Sequence, residues 1–188
     1  MKNLLIFLIV IILGSGVLTA LFVGANYNSL VSLSEQVDQQ YGVLESKLQR
    51  RYDLIPNLVN TVKGFLSHEE KVFSDIANAR AALTKAGNVQ EKIAADNQLE
   101  SALSRLLVVV ENYPELKSDK QMIALMDELA GTENRISIER DNYNKVVMEY
   151  NKKVKTFPSN MIASAFNFTE KTYFKADDNA STAPKVEF

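Results

Sequence analysis

The sequence predicts an all-α protein: an N-terminal transmembrane helix followed by an antiparallel four-helix bundle, with a long, kinked first helix and a short amphipathic helix near the C-terminus. Three observations carry this expectation. Leu4 to Ala25 contains no charged residue, and about 20 apolar residues are enough to cross a hydrocarbon core as a helix. Beyond it, apolar residues recur mainly at steps of three and four, the period of a helix with one buried face. Turn and cap signals then cut this pattern into four amphipathic segments joined by short connections, and such segments pack as an up-down-up-down bundle. Alternation of the kind strands show is missing from the sequence. The expected organisation is an anchor over 1–26, a helical domain over 27–168 and a polar, disordered tail over 169–188.

In the anchor, Gly14, Ser15, Gly16 and Gly24 are interruptions that transmembrane helices tolerate. A cleaved signal peptide is the competing reading, since Val23-Gly24-Ala25 resembles a small-residue cleavage site. The apolar run exceeds the roughly 7–15 residues of a signal core, which favours an anchor. Lys2 is the basic side chain nearest the anchor. Lys47 and Arg50 lie beyond the window of about 15–20 residues that sets orientation. The expected topology therefore keeps the N-terminus in the cytoplasm and places the main domain outside.

The first amphipathic stripe runs Leu30, Leu33, Val37, Tyr41, Leu44, Leu48, Ile55, Val59, Val62 and Leu66. At 1.5 Å per residue, this helix would extend roughly 60 Å beyond the anchor. Pro56 lacks an amide donor and clashes with the carbonyl of Tyr52, so a kink or break is expected there. Ser67-His68-Glu69-Glu70 matches a capping box that starts a second helix, with Val72, Ile76, Ala79 and Leu83 inward. Lys85-Ala86-Gly87-Asn88 ends it. Asn88 and Glu91 cap a third helix with the stripe Ile93, Leu99, Leu103, Leu106, Leu107 and Val110, which stops at Tyr113-Pro114.

Ser118 and Gln121 open the fourth and longest of these segments. Its stripe is Met122, Leu125, Met126, Leu129, Ile136, Tyr143, Val147, Tyr150 and Val154, and Phe157-Pro158 closes it. The piece from Pro158 to Phe168 is amphipathic. Its apolar residues Met161, Ile162, Ala165, Phe166 and Phe168 are expected to cap the open end of the bundle. The alternative is that they lie in the lipid interface with Lys171 and Lys175 at the headgroups.

Composition excludes several function classes. At 188 residues the chain is one domain with appendages. A net charge of −2 lacks the basic imbalance that nucleic-acid binding exploits. Cysteine is absent, which removes disulfides, thiolate metal sites, iron–sulfur clusters, cysteine nucleophiles and lipid-acceptor thiols together. His68 is the one histidine, and it reads as a solvated first-turn residue. There is no HExxH, no nucleophile elbow and no phosphate-binding glycine loop. No catalytic, metal-binding or cofactor-binding residue is therefore expected.

The polar residues at core spacing are the candidate site. Glu133 falls between Leu129 and Ile136, Arg140 falls between Ile136 and Tyr143, and Arg51 stands where the first stripe should be apolar. Buried charges cost several kcal/mol unless paired. The expected pairs are Arg51 or Arg50 with Glu133, or Asp53 with Arg140. Two roles fit them: a structural ion pair that fixes helix register, or a polar groove at Pro56 that accepts a partner. Asn57 stands where it could bond the carbonyl that Pro56 frees. Tyr143-Asn144 and Tyr150-Asn151 repeat seven apart, so the tyrosines should pack and the asparagines should line one seam, holding register or a neighbouring subunit.

Four stretches resemble the LemA family of bacterial membrane-anchored helical proteins. They are Tyr27-Asn28, Gln49 to Gly64 with His68-Glu69, Tyr113-Pro114-Glu115-Leu116, and Gly131 to Pro158, the last including Thr132-Glu133-Asn134-Arg135-Ile136, Arg140, Tyr143-Asn144, Tyr150-Asn151 and Phe157-Pro158. The family often carries tryptophan where this chain has Tyr41, a conservative aromatic change. The resemblance implies a single-pass protein of the bacterial cytoplasmic membrane with an all-helical domain. It implies loose links to envelope stress and membrane-protein quality control, and it brings no catalytic residues.

The expected function is a non-enzymatic membrane-anchored scaffold. Its partners would be the lipid around Leu4–Ala25 and either an integral-membrane protein, a protease among the candidates, or further copies of itself through Gly14, Gly16 and Gly24. A membrane-linked sensor or adaptor working through the kinked helix is the alternative, and an enzyme with a site assembled from distant residues is the third class.

Overall fold

The computed structural model describes residues 2–66 and 69–174, and all regular structure among them is helical. Helix α1 spans Lys2–Lys63, α2 Glu70–Lys85, α3 Val89–Glu111, α4 Pro114–Lys117, α5 Lys120–Lys155 and α6 Ser159–Ala165. Ser67 and His68, with the capping box expected there, lie outside the described residues, as does the tail from 175 onward.

The N-terminal stretch of α1 is long and apolar enough to cross a membrane. Its side chains from Ile6 to Phe22 lie open, with Leu18 and Leu21 among the most exposed apolar residues. The helix does not break at Pro56, which lies inside it. A single missing donor is tolerable because the surrounding residues Leu54, Ile55 and Leu58 are all held in a packed core.

The helix ends follow local chemistry. Asn88 accepts from the amide of Glu91 at 2.9 Å, and Glu91 reaches back to the amide of Gly87 at 2.7 Å. This reciprocal pair satisfies donors that a helix start leaves open. The start of α5 differs from expectation. The side chain of Asp119, not Ser118, accepts from the amide of Met122 at 2.9 Å. The Ser118 hydroxyl instead donates back to the carbonyl of Pro114, because Pro114–Lys117 forms a turn of helix of its own. Proline suits the first position of that turn, where its missing donor costs nothing.

The fold divides into two compact units. One holds, among the described residues, 42–142 together with 172–174. Its core joins Ile55, Leu58 and Val62 of α1 to Ile76 and Ala79 of α2. Leu99, Leu103, Leu106 and Val110 of α3, Leu116 of α4, and Met122 and Leu129 of α5 complete it. Most of these are the residues the helical period places inward; Leu58 and Leu116 are not among them, and Leu58 is more deeply buried than Val59, which only packs against the core.

The other unit holds, among the described residues, 2–41 and Tyr143–Lys171. Here Ile162 and Ala163 of α6 bury against Leu30 of α1, with Val23, Val154 and Phe168 packed around them. The Ser159 hydroxyl donates to the carbonyls of Lys153 and Thr156 at the turn from α5 into α6. At the far end of α6, Asn167 adopts a left-handed φ of 59°. The amide of Phe168 then reaches the carbonyl of Ala163 at 2.9 Å, the bond of a Schellman termination.

The stretch 169–174, expected to belong to a disordered tail, is held in place. The Tyr150 hydroxyl donates to the carbonyl of Thr169 at 2.9 Å, and Asn151 both donates to and accepts from the backbone of Lys171. Lys171 pairs with Asp38 rather than standing free for headgroups. Phe174 is buried.

Candidate functional site

The densest polar feature lies inside the unit built on Gly42–Asn142, where three helices each place charge on a buried face. Helix α1 supplies Arg51 and Tyr52, α3 supplies Asp96 and Glu100, and α5 supplies Glu133 and Arg140. Arg51 is 1% exposed and Asp96 is 0% exposed. At that depth each charge needs a partner, since an isolated one costs several kcal/mol.

Asp96 stands at the centre. One of its oxygens accepts from Arg51 and from the Tyr52 hydroxyl, the latter at 2.9 Å. The other accepts from Arg140 Nη2 at 2.8 Å. Arg51 turns its second terminal nitrogen to Glu133 at 2.6 Å. Arg140 also meets Glu100 at 3.1 Å and comes within 3.9 Å of Glu133. The ring of Phe174 covers the Arg140 guanidinium at 4.8 Å, close enough for a cation–π contact. The Nε atoms of Arg51 and Arg140 are buried with no hydrogen-bond partner among the described residues.

The electrostatics follow from this geometry. Burial disfavours the charge on Arg51, but Asp96 and Glu133 outweigh it and hold the guanidinium above its usual pKa. Burial, with the Asp96 carboxylate beside it, pushes the Tyr52 hydroxyl well above the usual tyrosine range, so it stays a donor. Both oxygens of Asp96 are occupied, by two guanidinium groups and a phenol.

An apolar cavity of about 230 Å³ adjoins the cluster, lined by Arg51, Glu100 and Glu133 together with Leu103, Leu107 and Leu129 among others. Ser104 also lines it, but its hydroxyl donates to the carbonyl of Glu100. No group of acidic or histidine residues with metal-site geometry occurs among the described residues.

Of the residues expected at this site, the structure brings together Arg51, Glu133 and Arg140. Arg50 faces outward and pairs with Glu128 at 3.1 Å. Asp53 is exposed and accepts from Gln49 at 2.8 Å; it does not meet Arg140, whose acidic partners are on α3 and α5. Asn57 is exposed and Pro56 half-buried; among the described residues no side-chain hydrogen bond joins Asn57 to the freed carbonyl.

Tyr143, Asn144 and Asn151 belong to the other unit. The Tyr143 ring lies 5.8 Å from that of Tyr41. Burial, Tyr41 and Asp38 push its hydroxyl up to about 12. Asn151 is buried and holds the backbone of Lys171, while Asn144 is half-buried.

The residue that sequence reading missed is Asp96. The signal was present: the α3 stripe steps from Ile93 to Leu99, and Asp96 fills the inward position between them. Tyr52 and Glu100 join it as partners one residue or one turn away.

A family model described as LemA family matches residues 40–188. Magnetosome protein MamQ 2 of Paramagnetospirillum magneticum is 28% identical, over 85% of this chain and 70% of its own. Magnetosome protein MamQ of Magnetospirillum gryphiswaldense is 25% identical over the same shares. Protein LemA of Metamycoplasma hominis is 22% identical over 92% of this chain and 78% of its own.

Proposed function

The chain belongs to the LemA family, and from that premise we propose that it is a non-enzymatic, single-pass scaffold of the bacterial cytoplasmic membrane. The stretch Leu4–Ala25 spans the bilayer. An antiparallel four-helix bundle stands beyond it on the extracytoplasmic side and holds a partner at the membrane. The partner is another integral-membrane protein, with a protease of envelope quality control as the candidate class, or further copies of this chain.

The observation that carries this reading is helix α1. One uninterrupted helix contains both the apolar stretch and the core positions Ile55, Leu58 and Val62. A chain built to act free in solution would gain nothing from an open apolar segment joined to its core helix. The ion cluster around Asp96 supports a fixed, load-holding body, because its groups are committed to one another.

Anchor exchange tests the reading. In a strain lacking the gene, a chain starting at Asn26 and expressed at the native level should fail to restore function, whereas the same body on an unrelated transmembrane helix should restore it. Full rescue by the anchorless chain would overturn the scaffold reading and return attention to enzymatic roles.

A sensor role through a kink at Pro56 is the second reading. It is favoured by one observation: the carbonyl that Pro56 leaves without its amide belongs to Tyr52, whose hydroxyl is bound to Asp96. It predicts that Pro56→Ala changes signalling in cells without unfolding the protein, and an unaltered phenotype would remove it.

A further inference from the structure

The unit containing α6 has a buried face and an open one, and the two are chemically distinct. The buried face is accounted for by Ile162 and Ala163 on Leu30. The open face carries Phe157, Met161 and Phe166, which are 74%, 65% and 49% exposed. Three large apolar side chains open to solvent on one short segment are unusual unless something apolar covers them.

Their position along α1 identifies the cover. The Tyr27 ring meets the edge of Phe166 at 4.9 Å and of Phe168 at 5.7 Å. Val23, inside the apolar stretch Leu4–Ala25, packs into the same cluster. Helix α6 is therefore level with the end of the membrane-crossing stretch. After Lys2, the first charge on α1 is Glu35, about 15 Å beyond Ala25 at helical rise. No charge on α1 keeps this level in water.

The local termini point the same way. The amides of Asn160 and Met161 bond to the carbonyls of Thr156 and Pro158 at the start of α6, and the Schellman turn at Asn167 closes its other end, which lowers the cost of moving it out of water. Lys152 and Lys153 lie in the last turn of α5, where α6 begins. Neither has an acidic partner among the described residues, unlike Lys155 with Glu170. Aromatic and apolar side chains flanked by lysine at the end of a transmembrane helix match the chemistry of the headgroup boundary.

We propose that Phe157, Met161 and Phe166 form a foot that embeds in the headgroup–acyl boundary of the bilayer crossed by α1, the lipid surface being its partner. This rests on the reading that α1 spans the membrane. The foot gives the protein a second attachment to lipid, about 5–10 Å deep, and ties the C-terminal end of α5 to the bilayer.

The absence of cysteine makes the test clean. Full-length chains carrying Met161→Cys or Phe157→Cys are labelled with bimane and reconstituted in vesicles of phosphatidylcholine and phosphatidylglycerol, with lipids brominated near the glycerol end of the acyl chains. Ile9→Cys reports the anchor with deeply brominated lipid, and Ser101→Cys on α3 is the aqueous control. The foot predicts quenching of roughly twofold or more at both Met161 and Phe157, with Ser101 unquenched. If Ile9 is quenched while Met161 and Phe157 behave as Ser101 does, the anchor stands and the foot is wrong. If Ile9 is also unquenched, the spanning reading fails and takes the foot with it.

Discussion

At the scale of residues, Asp96 sets the stability of the unit in which it is buried. Two guanidinium groups and a phenol depend on its carboxylate. Asp96→Asn leaves Arg51 and Arg140 buried against a neutral amide, and should destabilise the chain by about 3–5 kcal/mol in urea unfolding. Replacing Arg51, Asp96 and Arg140 together with apolar residues of similar volume should recover most of that loss, because the two acids left without partners, Glu100 and Glu133, are open to solvent. Tyr143 makes a separate, pH-dependent contribution. Its hydroxyl is pushed up to about 12 in the folded chain, above the usual value of about 10. The unfolded chain therefore ionises first as pH rises. The stabilisation is fully present below pH 10 and is lost between 10 and 12, on the order of 2 kcal/mol. Tyr143→Phe should flatten that part of the stability profile relative to the parent, which urea titrations at several alkaline pH values would read.

At the scale of elements, the asparagine on α5 that sequence spacing suggested for a helical seam does another job. Asn151 pairs with the backbone of Lys171 in both directions, and so fixes the strand-less segment after α6. Asn151→Ala should cost about 1–3 kcal/mol and speed hydrogen exchange at the Lys171 amide selectively. The helical stripes were legible because the period of 3.6 survives in every long segment, from Leu30 to Val62 and from Met122 to Val154. What sequence could not supply is the identity of partners across helices. Arg51 could be seen to need an acid, but Glu133 and Asp96 are equivalent until packing brings α1, α3 and α5 together. The cap of α5 was misplaced by one residue because Ser118 and Asp119 both cap well, and the choice depends on Pro114–Lys117 closing its own turn. Pro56 was expected to kink or break α1; the helix does not break there, since the core residues on either side hold it.

At the scale of the whole molecule, an apolar stretch fit for a bilayer continues into helical structure whose polar core is committed to internal pairing. The chain from Asn26 onward should remain folded and soluble, with helical circular dichroism and a cooperative thermal transition, since the buried clusters draw almost wholly on residues beyond the anchor. A fragment without cooperative melting would show that the body depends on the membrane segment to fold.

An extracytoplasmic scaffold stands or falls on the side of the membrane that this body occupies. Ser101→Cys places a single exposed thiol on α3 in a chain without cysteine. In intact cells, with any outer membrane permeabilised, an impermeant thiol reagent should label it as completely as in lysed cells. Labelling only after lysis would put the body in the cytoplasm and contradict an extracytoplasmic scaffold held at the membrane by α1.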